Sequence, residues 1–200
     1  MKIIKVDTPA LMETIRVLSI QTFHEAYEAE NTKENMLAYT NKNFSEIQLL
    51  KEYNTPGHFF YIIYSEGEAA GYFKLRNEEI LPDFEDLQQI ELERIYILKK
   101  FQQQKLGFAC INYCIEESIS NGYDVLWLGV WKQNEKAIRF YKKIGFEIFG
   151  EHVFVLGDVA SVLGKDGKPL PMLAQVAVGQ GLHTGENIKR LLSNKPLIPF

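Results

Sequence analysis

A polar loop that joins a predicted strand to a predicted helix is the first segment with residue types suited to chemistry. The strand ends in Ile95-Tyr96-Ile97, the loop contains Gln102-Gln103-Gln104-Lys105, and the helix opens with Leu106-Gly107-Phe108. Backbone N–H groups and the helix dipole at such an N-terminus favour an anion such as a pyrophosphate. Gly107 would let the backbone approach the phosphate, while the glycines of a Walker loop or a dinucleotide fingerprint are absent. An ordinary strand-to-helix connection has the same local pattern, so the loop alone does not decide.

A second segment is much more specific. A predicted apolar strand, Trp127-Leu128-Gly129-Val130-Trp131, is followed by Asn134, Ala137, Phe140-Tyr141, Lys143 and Gly145-Phe146. This spacing resembles the string N-x-x-A-x-x-F-Y-x-K-x-G-F of the GNAT acetyltransferase superfamily, and every letter of that string is present. The resemblance implies an α/β (α+β) GNAT fold, in which a mixed, mostly antiparallel twisted sheet has a central βαβ unit and flanking helices.

The loop departs from the family in one position. Family loops have Gln or Arg, two residues, Gly, one residue, then Gly or Ala. Counting from the predicted strand places this pattern on Gln102, Lys105 and Gly107, so that lysine replaces the first glycine. A literal match on Gln104, Gly107 and Ala109 would shift the loop two residues along the helix. We prefer the first register, and the identity of the phosphate-binding N–H groups depends on this choice.

Within the superfamily, the chain resembles the PaiA-type polyamine N-acetyltransferases. The likeness rests on Glu93-Arg94-Ile95-Tyr96-Ile97, on the strand 127–131, and on His152-Val153-Phe154 followed by Gly157-Asp158. It covers residues 1–158, which we predict to be the acetyltransferase domain. Residues 159–200 are a divergent tail where family members have a closing strand. A divergent strand, a fusion and a frame-shifted end are all compatible with the tail, and its patterns predict a strand near 172–178 and a short helix near 186–192.

The resemblance implies acetyl-CoA as the cosubstrate and no metal ion. It assigns to acetyl-CoA the residues Ile95, Tyr96, Ile97, Gln102, Gln103, Gln104, Lys105, Leu106, Gly107, Phe108, Asn134 and Lys143. Asn134 would also suit a helix N-cap, a role compatible with binding. Lys143 could meet the 3′-phosphate of the adenosine or be an ordinary solvated lysine.

Two residues are predicted to move protons. In the family, the tyrosine at the position of Tyr141 protonates the departing thiolate, which suits a phenol with a usual pKa of about 10. A tyrosine packed on the helix face is the alternative. Glu93 is predicted to take the proton of the attacking amine, directly or through water. Glu91 competes with it, because alternation puts both carboxylates on one face unless a bulge intervenes.

Composition narrows the functional class. The chain has 200 residues and a net charge of −4, and no apolar run approaches the roughly 20 residues of a membrane span. Its N-terminus lacks the features of a secretory signal, which favours the cytoplasm. Cys110 and Cys114 lie four apart in a predicted helix and cannot readily form a disulfide there, and the four histidines do not form a zinc pattern. The mild acidity argues against nucleic acid and fits a small cationic substrate.

The other elements follow from periodicity and turn signals. We predict strands at 2–6, 58–64, 69–75, 90–97, 125–131 and 146–156. We predict helices that start at the caps Thr8 and Ser45, and further helices at 33–39, 107–120 and 135–144. Asn121-Gly122 and Gly145 are expected to end the last two helices.

Together these patterns predict an acetyl-CoA-dependent N-acetyltransferase that acts on a primary amine of a small molecule by direct attack in a ternary complex. The PaiA resemblance implies a polyamine. Phe23, Tyr27 and Tyr39 could line the acceptor pocket or belong to the core, and they are not assigned to the site. The alternative is a non-catalytic acyl-CoA-binding regulatory protein, which the divergent tail favours and Tyr141 disfavours. The oligomeric state stays open, a homodimer included.

Overall fold

The computed structural model describes residues 1–130, 134–149 and 153–156. The chain divides into two units. The first contains Met1–Glu79 and Leu92–Cys114, and the second contains Ile80–Glu91 together with the described part of Ile115–Phe200. The predicted elements of the tail lie outside the described residues, so the proposed domain boundary at residue 158 stays a prediction.

Antiparallel strands form the sheet of the first unit. Strand β1 is Lys2–Lys5, β2 is His58–Ser65, β3 is Glu68–Arg76 and β4 is Gln89–Ile97. β1 pairs with β2 from Lys2↔Tyr64 to Lys5↔Tyr61, and β2 pairs with β3 from His58↔Arg76 to Ser65↔Glu68. The two residues between β2 and β3 both have positive φ, which matches the twist of a two-residue hairpin. The predicted hairpin is therefore confirmed.

Helices of the first unit precede and follow this sheet in sequence. Helix α1 is Met12–Tyr27, α2 is Lys33–Asn43, α3 is Glu46–Tyr53, and α4, Leu106–Ser120, begins here. Ser45 caps α3 as predicted, because its Oγ accepts from Gln48 N at 3.3 Å. The predicted cap at Thr8 is wrong. Thr8 makes no cap hydrogen bond, and a 3₁₀ turn at Pro9–Leu11 comes before α1, since proline fixes φ where that turn begins.

Aromatic side chains fill the core of the first unit. The rings of Tyr61 and Phe73 stack at 4.6 Å, and Tyr113 of α4 packs against both at 5.7 and 5.9 Å. On α1, Ile15 and Leu18 are buried. The apolar positions of α1 and of the two hairpin strands thus supply this core, as their periodicity predicts.

The second unit is built around a parallel strand pair. Strand β5 is Val125–Gly129 and pairs in parallel with the start of β4, from Gln89↔Val125 to Glu91↔Trp127. This pairing confirms the predicted βαβ unit, with α4 as its helix. Helix α5 is Glu135–Ile144, with the predicted bounds. The buried Gln89 side chain holds the 3₁₀ turn Pro82–Phe84 by accepting from Leu81 N and donating to Leu81 O and Phe84 O.

The end of the described chain differs from the prediction. A single strand was expected over 146–156, but the structure has two, β6 at Glu147–Phe149 and β7 at Val153–Leu156, which pair antiparallel with each other. β7 also pairs antiparallel with β5. The apolar run is interrupted in the sequence by Gly150-Glu151-His152, a turn signal that the prediction did not use. The predicted strand 125–131 is observed as far as Gly129, and Trp131 lies outside the described residues.

Across the described ranges, the structure has no helix that is both long enough and apolar enough to span a bilayer.

Candidate active site

Strand β4 comes unusually close to β3 near its end. A Cβ added to Gly71 would overlap the carbonyl oxygen of Tyr96 and would lie 3.0 Å from the Cα of Ile97. Just beyond, Leu98 N donates to Ala70 O at 2.9 Å. The ring of Tyr96 stacks on Tyr72 at 5.8 Å. Gly71 therefore fixes the position of the predicted cofactor segment, residues 95–97.

Two neighbouring residues of β4 belong to one ion cluster. Arg94 Nη2 lies 3.0 Å from Glu52 Oε1 and 3.2 Å from Glu93 Oε1. Neighbouring side chains of a strand start on opposite faces, and here the long side chains of Glu93 and Arg94 nevertheless meet. Glu91, the competing carboxylate, is buried and belongs to the second unit.

Four charged side chains form a buried ion network, which consists of Glu52, Lys74, Glu93 and Arg94. Lys74 is only 1 % exposed, and its Nζ lies 2.7 Å from Glu52 Oε2 and 2.5 Å from Glu93 Oε2. Burial by itself raises the pKa of Glu52, but Arg94 and Lys74 outweigh it and the pKa is lowered. Burial by itself lowers the pKa of Arg94, but Glu93 and Glu52 outweigh it and the pKa is raised. The folded chain thus favours the charged forms of Glu52 and Arg94.

The ion network holds the carboxylate of Glu93, the residue predicted to take the proton of the attacking amine. Both carboxylate oxygens of Glu93 contact cations, so the carboxylate is held in place. Oε2 is buried and lies 2.5 Å from Lys74 Nζ and 3.9 Å from Arg76 Nε, and Oε1 lies 3.2 Å from Arg94 Nη2. The Glu93 side chain is 19 % exposed. An ionised carboxylate has about four lone-pair sites, so these contacts leave acceptor capacity for a water molecule at Oε1. This geometry suits proton transfer through water better than direct contact with the amine.

The sequence analysis missed Glu52 and Lys74. One signal was available, because a lysine in the middle of an otherwise apolar strand is almost never buried without a partner. The partners Glu52 and Glu93 are 22 and 19 residues away and could not be assigned from local spacing.

The predicted phosphate loop has two non-glycine residues in the left-handed region. A 3₁₀ turn, Lys99–Phe101, leads from β4, and Gln102 Nε2 donates back to Ile97 O at 2.9 Å. Gln103 has φ 64° and Lys105 has φ 61°. Ala109 N donates to Lys105 O at 3.1 Å, the first hydrogen bond of α4. Left-handed residues in a loop can turn successive N–H groups toward one point, an arrangement that binds anions.

This backbone conformation favours one of the two registers. A left-handed residue is where glycine is normally preferred, and Lys105 occupies the place of the family's first glycine in the register that uses Gln102, Lys105 and Gly107. The alternative register would put its first glycine at Gly107, which is not among the glycines with positive φ. Residues 102–105 are exposed, so the turned N–H groups face solvent.

In the second unit, the structure shows the local roles of the α5 residues. Asn134 Oδ1 accepts from Ala137 N at 3.1 Å, so Asn134 is the N-cap of α5. Gly145 has φ 109°, and Gly145 N and Phe146 N donate to Lys142 O and Tyr141 O in a Schellman motif. Tyr141 is buried, with its ring 5.6 Å from that of Phe146, and Lys143 is exposed.

The aromatic residues of α1 and α2 form one cluster in the first unit. Phe23 stacks on Tyr39 at 4.3 Å and lies 4.9 Å from Tyr27. Burial, with the neighbouring Tyr27, raises the pKa of Tyr96. Tyr39 is 46 % exposed, so the cluster reaches the surface while its other side adjoins residue 96 of β4.

Thiol and metal chemistry find little support in the described residues. Cys110 and Cys114 are buried, and burial raises the pKa of Cys110 to about 12, which disfavours the nucleophilic thiolate. Within residues 1–130, 134–149 and 153–156, the structure has no group of three or more histidine, cysteine or acidic residues that could hold a metal ion.

Comparison with known proteins decides the family. Residues 20–146 match the acetyltransferase (GNAT) family, and this match spans more than half of the chain. The chain belongs to the GNAT family. An uncharacterized N-acetyltransferase of Lactobacillus delbrueckii subsp. lactis is 41 % identical over 162 residues, which cover 78 % of this chain and 90 % of that protein. As a GNAT member, the chain is an N-acetyltransferase with acetyl-CoA as its cosubstrate.

A solved structure supports the fold. PaiA N-acetyltransferase from Thermoplasma acidophilum, in complex with coenzyme A, is similar with a TM-score of 0.60 over 78 % of this chain and 98 % of that chain. The two sequences are 17 % identical, so this likeness shows the GNAT fold alone.

A different protein matches a shorter stretch. Type II NADH:quinone oxidoreductase of Staphylococcus epidermidis is 48 % identical over 67 residues, which cover 32 % of this chain but only 17 % of that protein. The match therefore shows a shared segment and does not extend the oxidoreductase activity to the GNAT chain.

The close contact at Gly71 gives a prediction. Gly71→Ala should lower the free energy of unfolding by about 1–3 kcal/mol, because the added methyl group forces β4 away from β3. It should also weaken acetyl-CoA binding, since residues 95–97 move. Urea unfolding and calorimetry check the two effects. Ala69→Ser adds one heavy atom to the same strand and serves as the control. Equal stability of the two variants would show that β4 can move away from β3 without lowering the free energy of unfolding.

Proposed function

We propose that the GNAT chain transfers the acetyl group of acetyl-CoA to a primary amine of a small cationic molecule, with a polyamine as the first candidate. The observation that carries the proposal is the exposed loop before α4, in which Gln103 and Lys105 have left-handed backbone conformations. Such a loop suits the pyrophosphate of coenzyme A.

The predicted binding residues take the roles that the family resemblance implies. The N–H groups of residues 103–108 hold the pyrophosphate, with Lys105 adding positive charge. The backbone of Ile95, Tyr96 and Ile97 pairs with the pantetheine amides as an added strand would. In the second unit, Asn134 donates its side-chain amide to pantetheine and Lys143 contacts the 3′-phosphate. The exposure of Lys143 and the capping role of Asn134 are compatible with these assignments.

Two proton transfers accompany the chemistry. The acceptor ammonium first loses a proton to solvent, and the neutral amine nitrogen attacks the acetyl carbon. The second proton, which the nitrogen gives up on attack, passes through a water molecule to the carboxylate of Glu93. A nitrogen–carbon bond forms and the carbon–sulfur bond breaks, while backbone N–H groups stabilise the developing oxyanion. Tyr141 gives its phenolic proton to the departing sulfur. No acyl-enzyme is required, in keeping with the buried thiols.

Acidic residues support a cationic acceptor. In the first unit, Glu25 and Glu28 lie on or just after α1, and Glu25 Oε2 accepts from Lys99 N at 2.7 Å, next to the loop. In the second unit, Asp83, Glu85 and Asp86 are exposed around the 3₁₀ turn Pro82–Phe84. Negative charge at these positions attracts ammonium groups over about a Debye length, roughly 8 Å at physiological salt.

The acceptor class is tested by an activity panel. Incubation of the protein with acetyl-CoA and polyamines, amino acids, aminoglycosides or peptides should release thiol fastest with polyamines. The second-order rate constant should fall as salt rises, because screening weakens the attraction of a cation. Turnover confined to peptide amino termini would contradict the polyamine assignment, and the absence of thiol release with every amine would contradict the enzyme.

The phosphate site is tested by Gly107→Asp. We expect the dissociation constant of acetyl-CoA to rise at least tenfold, because the new carboxylate repels the pyrophosphate and its side chain blocks the backbone. Stability should hold, since a negative charge suits the first turn of a helix. Ser120→Asp adds the same charge at the exposed far end of α4 and should leave affinity unchanged. If calorimetry gives equal affinity for both variants, the phosphate site is elsewhere.

The proton donor is tested by Tyr141→Phe, which keeps the buried ring and removes the hydroxyl. If proton transfer limits turnover, kcat should fall by about a hundredfold to ten-thousandfold, with the dissociation constant of acetyl-CoA unchanged. Tyr53→Phe, on α3, is the matched control. Wild-type kcat in the Tyr141 variant would remove this residue from the mechanism, and a loss of affinity alone would assign it to binding.

A further inference from the structure

The buried ion network includes a residue, Glu52, that lies on a helix outside the short motifs quoted for the family. Glu52 lies on α3, and its carboxylate bridges Lys74 Nζ at 2.7 Å and Arg94 Nη2 at 3.0 Å. A third donor, Gln48 Nε2 of the same helix, lies 3.0 Å from Glu52 Oε1. Glu52 is therefore held by its own helix and by two cations of the sheet.

Stability alone does not account for this network. Moving charges from water into a protein interior costs several kcal/mol per ion, and apolar residues of similar volume often stabilise a fold equally well or better. The side chains of Lys74 and Glu52 are 1 % and 9 % exposed, so both charges carry this cost. Lys74 Nζ also lies 5.3 Å from the centre of the Phe60 ring, and Arg94 Cζ lies 5.9 Å from the centre of the Phe44 ring. Each cation therefore has an apolar ring beside it.

We propose that Glu52 is a positioning residue for acetyl transfer and acts through Glu93. The proposal rests on the proposed function, in which the Glu93 carboxylate holds the water that accepts the amine proton. Glu52 divides the attraction of Lys74 and Arg94 between two carboxylates. Glu93 Oε2 lies on Lys74 at 2.5 Å, while Arg94 is shared between Glu93 Oε1 and Glu52 Oε1.

The expected consequence of removing the Glu52 charge follows from electrostatics. Glu52→Gln keeps the size of the side chain but leaves Lys74 and Arg94 with a single carboxylate among them. Lys74 already contacts Glu93 at 2.5 Å, but Arg94 then turns fully to Glu93. This shifts the carboxylate, takes up its remaining lone-pair sites and loosens this part of β4. Residues 95–97 follow Glu93 directly in the chain, so the disturbance reaches the segment beside Gly71.

A double-mutant cycle tests the proposal. Steady-state rates and acetyl-CoA affinity are measured for wild type, Glu52→Gln, Glu93→Gln and the double variant, at a temperature at which melting curves show all four to be folded. Glu46→Gln, an exposed carboxylate on the same helix, is the matched control. We expect Glu52→Gln to lower kcat at least tenfold and to weaken acetyl-CoA binding by a clearly smaller factor, because residues 95–97 only adjoin the disturbed carboxylate. In the Glu93→Gln background, the same substitution should change kcat less than twofold.

A conservative variant and an activity-independent measurement complete the experiment. Glu52→Asp keeps the charge and should recover part of kcat, and it replaces Glu52→Gln in the cycle if the latter does not fold. Amide hydrogen exchange of residues 92–97 should be faster in Glu52→Gln than in Glu46→Gln.

Three outcomes would overturn the positioning role. In the first, Glu52→Gln lowers kcat by the same factor in the wild-type and Glu93→Gln backgrounds. In the second, Glu52→Gln lowers stability but leaves kcat at the wild-type value. In the third, amide exchange of residues 92–97 is the same in Glu52→Gln and Glu46→Gln. Failure of the proposed function gives a different result, because the wild-type protein would then release no thiol from acetyl-CoA with any amine. The exchange measurement would still decide whether Glu52 holds β4 in place.

Discussion

The backbone of β4 occupies the space that a side chain at position 71 would need, and the rest of the first unit's site depends on that contact. With Gly71 beneath it, the peptide of Tyr96 approaches β3 closely, and Leu98 continues the contact by donating to Ala70 O. The chain then turns through Lys99–Phe101, and Gln102 bonds back to Ile97 O. The loop that follows therefore starts from a fixed point.

The ion network fixes the same strand a few residues earlier by a different kind of force. Contact at Gly71 is steric and sets a distance, whereas the four charges set orientation, since each carboxylate needs donors at defined positions. Burial strengthens these interactions and makes an unpaired charge costly. Strand β4 is thus held by packing near Tyr96 and by charge near Glu93.

Sequence patterns were sufficient for the elements whose signals are local. The β2–β3 hairpin, the cap at Ser45 and the bounds of α5 follow from alternation, turn residues and capping residues within a few positions. Two local predictions were wrong because a competing local signal was missed, namely Pro9 after Thr8 and the polar break at 150–152. The motif residues fell on the expected elements, but Glu52 and Lys74 did not emerge at all. Their interaction joins a helix to two strands, and short-range sequence periodicity does not reveal such a contact. The roles of Tyr141, Asn134 and the other predicted site residues stay predictions.

Lys105, which stands where the family loop has a glycine, has both an energetic cost and an electrostatic effect on the loop. A non-glycine residue in the left-handed conformation costs about 1–2 kcal/mol, and the loop has this conformation at Gln103 and Lys105. Such strain persists only where the surroundings impose it, here the anchored strand on one side and α4 on the other. The replacement also places a positive charge at a helix N-terminus, where the dipole disfavours it. Both costs are present in the absence of an anion. In the proposed function, a pyrophosphate bound at the loop offsets the second, because its negative charge attracts both the lysine and the helix end. The lysine therefore makes the empty loop less stable and attracts a doubly charged ligand more strongly. Glycine at the same position would have neither effect.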